Sequence, residues 1–105
     1  MNRIEYLPIA RQDIDDIIHY IAYTLCSPKA ALNLLDSFER AILRTADFPN
    51  MYPVYEPTSG FKHPYRYIPV KNYLVFYVVM DDVIEVRRVI YAKKNLDDLG
   101  FITDK

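Results

Sequence analysis

The sequence predicts an α+β domain with the element order β-α-α-β-β-β. In it, a helical hairpin packs on one face of a small antiparallel sheet to which an N-terminal strand is added. Three observations carry this. Two stretches with apolar residues at helical spacing are joined by a very short Ser-Pro link. A proline-broken but apolar segment follows them. The last 40 or so residues hold β-rich runs separated by two-residue polar turns.

Arg3 to Leu7 alternates Ile4 and Tyr6 against Arg3 and Glu5, the period of a strand. Pro8 ends it and suits the first turn of a helix. Residues 10–25 place Ala10, Ile14, Ile17, Ile18, Ile21, Ala22 and Leu25 on one helical face. Asp13, Asp15 and Asp16 fall in the first half of that helix, where its dipole favours negative charge. Ser27-Pro28 predicts a new start, Ser as N-cap and Pro as first helical residue. The second helix is expected over Pro28–Asp47, burying Ala31, Leu35, Phe38 and Ile42. Asp47 to Pro64 is a loop, yet Phe48, Met51, Tyr52, Val54, Tyr55 and Phe61 predict that it lies against the body of the domain.

Tyr65–Val70 is a candidate strand in which Pro69 marks either an edge position or an early end. After the Lys71-Asn72 turn, Tyr73–Met80 is apolar throughout, as expected of a central strand buried on both faces. Asp81-Asp82 turns the chain into Val83–Tyr91. Strict alternation there puts Ile84, Val86 and Ile90 on one face and Glu85 and Arg87 on the other, with Arg88 on the apolar side. Lys93 to Leu99 is a short helix or tail. A single domain over residues 1–105 is expected, with a sheet face free of helices that leaves room for a partner.

Composition excludes several functions. With 2 Gly in the chain and neither GxGxxG nor GxxxxGK[ST], the common nucleotide-binding loops are absent. His19 and His63 lie far apart and Cys26 is the one cysteine, so no metal-binding spacing exists and no metal or cofactor is expected. That lone cysteine, read as a small packing residue at the helical turn, makes no internal disulfide and fits a reducing cytoplasm. No apolar run approaches the roughly 18–20 residues of a membrane span, so no membrane contact is expected. The net charge of −1 hides an asymmetry: residues 1–61 carry −3 and residues 62–94 carry +4. A basic sheet half is compatible with an anionic partner.

Four stretches in this order resemble the RelE/ParE family of toxins from bacterial type II toxin–antitoxin modules. They are Asp13-Ile14-Asp15-Asp16-Ile17-Ile18-His19-Tyr20-Ile21, then Ser27-Pro28-Lys29-Ala30-Ala31 with Leu35, Phe38 and Ile42, then Phe48-Pro49-Asn50-Met51, and last Tyr73-Leu74-Val75-Phe76-Tyr77 followed by Val86 to Lys94. The resemblance covers about residues 3–99, and the long hairpin is more like the ParE branch. It implies a cytoplasmic, growth-inhibiting protein of the plasmid-stabilisation type, neutralised by a cognate antitoxin that wraps it. A homodimer or a toxin–antitoxin hetero-oligomer is expected. It implies one of two activities: ParE-like inhibition of DNA gyrase or another protein target, or RelE-like cleavage of mRNA on the ribosome. A non-toxic binding module with the same fold is a third reading.

For an endoribonuclease the chemistry needs a base for the 2′-hydroxyl, cations for the charged phosphorane and an acid for the leaving oxygen. Arg66, Arg87, Arg88, Lys93 and Lys94 are the candidate cations, and Tyr91 is a candidate base-stacking group. The resemblance supplies no proton carrier: Leu74 stands where RelE-like nucleases usually have an arginine, and the C-terminal region has no histidine. That favours the ParE-like reading. Arg66, Tyr67, Arg88, Lys93 and Lys94 are the candidate contacts to target or antitoxin. Against each stands a bland alternative: a salt bridge for Arg66, pairing with a buried acid for Arg88, a solvated pair for Lys93 and Lys94. The tyrosines at 52, 55, 65 and 67 either form a recognition surface or pin the proline-rich loop to the sheet.

Overall fold

The computed structural model describes residues 2–93. The elements are β1 (Arg3–Tyr6), α1 (Pro8–His19), a π-helical turn (Tyr20–Thr24), α2 (Pro28–Arg44), a 3₁₀ turn (Glu56–Thr58), β2 (Arg66–Val70), β3 (Tyr73–Met80) and β4 (Val83–Tyr91). The predicted order is therefore the observed one. The four strands form one sheet in the order β1-β4-β3-β2. The hairpins β2–β3 and β3–β4 are antiparallel, while β1 joins β4 in parallel, so the sheet is mixed. Pro69 lies on the edge strand β2, where its missing N–H costs no ladder bond.

α1 starts at Pro8 as expected, but its α-helical part stops at His19. The next turn is π-helical, with the Leu25 N–H donating to the Tyr20 carbonyl. The extra residue per turn rotates Leu25 off the buried stripe, and it is exposed rather than core. Cys26 then adopts a φ of 52° and reverses the chain. It is exposed at the hairpin tip, not a packing residue. Ser27 does occupy the N-cap position of α2, yet its hydroxyl donates backwards to the Leu25 carbonyl and leaves the helix N–H groups alone. The buried stripe of α2 is Ala31, Leu34, Phe38, Ala41 and Ile42, with Leu35 only half-buried. The helix ends at Arg44, three residues before the expected Asp47.

The main core lies between hairpin and sheet. Ala10, Phe38 and Ile42 meet Ile68, Val75, Tyr77, Ile84, Val86 and Val89 there. A second cluster fills the opposite sheet face: Tyr65, Phe76, Val78 and Ile90, with Tyr55, Phe61 and Tyr67 packed against it. The face expected to be free of helices is thus covered in part by the chain's own loop. Much of the loop lies on the body as its apolar content predicts, but Phe48 and Met51 point into solvent.

Strict alternation fails in β4. Phe76 pairs with Arg88 while its neighbour Tyr77 pairs with Val86, so Arg87 is an extra residue at a bulge. Beyond it the faces exchange. Val89 joins the helix-side core, and Ile90, expected beside Ile84 and Val86, packs with Phe76 and Tyr65 on the other side.

Candidate functional site

The bulge sits where β1 gives out. The parallel ladder ends with the Leu7 N–H on the Val86 carbonyl, because Pro8 turns the chain into α1. β4 runs five residues further with that edge open. Asp13, one and a half turns into α1, fills the gap. Its carboxylate accepts the Val89 backbone N–H at 3.0 Å. It also accepts Nε and Nη2 of Arg88 at 2.7 and 3.0 Å, a two-bond fork. The side chains are 14% and 20% exposed, so water screens the pair weakly. The hydrogen bonds from Arg88 to Asp13 raise the guanidinium pKa further, outweighing the effect of its burial. Asp13 is therefore not a dipole-complementing surface charge, and it lies outside the first turn of α1. Arg88 pairs with a shielded acid and does not line the open face.

Arg87 is held on the opposite face. Its Nε lies 2.7 Å from Glu85 Oε1, Nη1 donates to the Tyr65 hydroxyl at 3.1 Å, and the guanidinium stands 5.4 Å from the Tyr65 ring centroid. Arg66, the first residue of β2, donates Nη1 to the Tyr52 carbonyl at 2.6 Å and to the Asn50 carbonyl at 3.3 Å. Tyr77 donates its hydroxyl to the Pro49 carbonyl at 2.8 Å. Together Arg66 and Tyr77 hold three carbonyls of the 49–52 turn, which anchors the loop to the sheet. These backbone contacts stand in place of the salt bridge expected as the bland alternative for Arg66.

Burial pushes the Tyr77 phenol up to about 12, with the nearby Arg66 charge pulling the other way. An unfolded tyrosine ionises near pH 10 and the folded one does not, so this contribution to stability is complete below pH 10 and is lost as pH rises towards 12. Unfolding by urea at stepped pH is expected to show that alkaline loss, with a shallower slope in Tyr77→Phe. The phenols of Tyr6 and Tyr73 are raised too, each chiefly by burial, and account for the slope that persists.

The remaining candidates are more open. Tyr91 is 44% exposed and meets Tyr73 edge-on at 5.8 Å. Lys93 is exposed at the end of the described chain. Lys94 and most of the predicted segment from Lys93 to Leu99 lie outside the described residues. Tyr67 is half-buried against Tyr55 and Phe76.

The candidate cations do not converge. Arg66 takes the register of Tyr77, whose ring is in the helix-side core, while Arg87 is bound on the other face and Arg88 at the β1 edge. Tyr91 lies in the register of Tyr73, about 13 Å along the strand from that of Tyr77. Among the described residues no three His, Cys, Asp or Glu side chains are grouped to hold a metal ion, and no helix is long and apolar enough to cross a membrane. A groove of about 640 Å³ runs between α2 and the β2 edge, with Arg40, Arg44 and Asp47 facing Ile68 and Val70.

A family model described as "ParE toxin of type II toxin-antitoxin system, parDE" matches residues 4–96. The chain belongs to the ParE toxin family. The fold of this ParE-family chain is similar to a solved structure described as "Chromosomal ParDE TA system from P. aeruginosa", with a TM-score of 0.69 and 18% sequence identity. That match covers 89% of this chain and 98% of the other. At such identity the likeness is one of fold. No curated protein matches the chain in sequence. The resemblance drawn from the four stretches is thereby upheld at the level of the toxin family.

Proposed function

We propose that this type II toxin acts as a ParE-type inhibitor, by binding a protein target such as DNA gyrase and not by cutting RNA, and that a cognate antitoxin neutralises it. The observation that carries this reading is the state of its arginines. Arg66, Arg87 and Arg88 all hold partners inside the fold, on two faces and an edge. A phosphorane needs several cations aimed at one point, and disengaging a shielded fork such as Arg88–Asp13 is costly. An antitoxin partner is supported by the large apolar side chains left in water along α2 and the turn after it: Leu32, Leu43, Phe48 and Met51.

The RelE-like alternative keeps one observation in its favour, the exposed Tyr91 and Lys93 at the end of the basic sheet half. Inducible expression in bacteria separates the readings. The proposal expects arrested growth with altered DNA supercoiling and intact mRNA. Cleaved mRNA with normal supercoiling would favour the nuclease, and unimpaired growth a non-toxic binding module. Lys93→Ala/Lys94→Ala is expected to abolish the growth arrest if this pair contacts the target; unchanged arrest would return both to solvated surface.

A further inference from the structure

The second aromatic cluster encloses a depression on the sheet face away from the helices. It is about 290 Å³ in volume and open to water. Tyr55 meets Phe76 at 5.5 Å and 79°, and meets Tyr67 at 6.5 Å and 88°. Tyr67 and Phe76 stand 6.4 Å apart at 47°. Tyr55 and Tyr67, both half-buried, present π surface from two directions to one space; the fully buried Phe76 forms its floor, and Leu74 and Pro57 complete an apolar wall. Among the described residues, the single charged group on the lining is the Glu56 carboxylate, from the 3₁₀ turn. Among the described residues Glu56 makes no ion pair, and no Lys or Arg lines the depression. Arg87, on the same sheet face, is held by Glu85 and Tyr65.

An aromatic wall carrying one unneutralised carboxylate selects for an organic cation. The ring quadrupoles and the carboxylate both attract positive charge, while the apolar wall disfavours a strongly hydrated one. A guanidinium fits best, being planar, weakly hydrated and able to stack on a ring while donating to a carboxylate. We propose that the depression formed by Tyr55, Tyr67, Phe76 and Glu56 is a binding site for an arginine side chain of a partner polypeptide. The inference rests on the chemistry of the pocket and is independent of the target proposed above.

The test uses Nα-acetyl-arginine methylamide as probe and the citrulline analogue as its uncharged isostere, each titrated into the full chain and followed by NMR of the aromatic side chains. Saturable shifts are expected at Tyr55, Tyr67 and Phe76 with the arginine probe, and about five- to thirty-fold weaker binding of the citrulline probe. Glu56→Gln, on an exposed residue, is expected to weaken the arginine probe several-fold and leave the citrulline probe unchanged. Tyr67→Leu should act in the same direction, with urea unfolding run alongside to verify that it remains folded. Equal binding of the two probes, shifts confined to other residues, or no shift with either probe would each overturn the proposal.

Discussion

Asp13→Ala is expected to lower the stability of the domain by about 2–4 kcal/mol, because it removes the two-bond fork from a shielded guanidinium and the acceptor of a β4 backbone N–H at once. Against the roughly 5–15 kcal/mol that holds a domain together, this is a large fraction. Arg88→Ala should cost less, since Asp13 keeps the Val89 N–H and regains water. Asp13→Asn should fall between wild type and Asp13→Ala, retaining an acceptor for Val89 but not the charge. Urea unfolding of the two alanine variants and their double mutant gives the coupling. The double mutant is expected to lose clearly less than the sum of the single losses. Simple additivity would mean that the fork contributes nothing as a pair.

Phe38→Ala has the other large expected effect. Phe38 is fully buried at the centre of α2 and packs edge-on against Tyr73 at 5.8 Å. Removing a ring that joins hairpin to sheet is expected to cost about 3–5 kcal/mol, from lost transfer energy and the cavity left behind. Thermal unfolding with an unchanged far-ultraviolet spectrum at low temperature would show this as a lowered midpoint. Such a variant is expected to lose toxicity through loss of folded protein, so the loss would say nothing of the target surface. Functional substitutions therefore belong at exposed positions such as Lys93 and Tyr91.

Element order, the edge position of β2 and the central place of β3 were legible because each leaves a local mark: period 3.6, a proline in a strand, an unbroken apolar run. The bulge at Arg87 leaves only an ambiguous one. Two adjacent arginines break the alternation of Val86-Arg87-Arg88-Val89-Ile90, and only pairing with β3 decides where the extra residue falls and which faces the last residues take. The π turn was hidden for a similar reason: Leu25 continues the apolar spacing of Ile18 and Ile21, and the extra residue per turn is set by where the reversal at Cys26 falls.

The Asp13–Arg88 pair was half legible. Asp13 shares a helical ridge with Ala10 and Ile17, and Arg88 stands among Ile84, Val86 and Ile90. Each is a charge misplaced in an apolar pattern, and two opposite misplaced charges are natural partners. Only the fold brings them together across 75 positions. The anchoring of the 49–52 turn by Arg66 was out of reach, since the acceptors are backbone carbonyls and any residues would supply them.

The proposed action of this chain is to bind a protein and not to cleave RNA. The most direct measurement adds purified chain, in one experiment to DNA gyrase on relaxed plasmid, and in another to ribosomes translating a defined mRNA. Supercoiling is expected to be inhibited in proportion to added chain while the mRNA stays intact. Specific cleavage of the mRNA with gyrase unaffected would contradict the proposal.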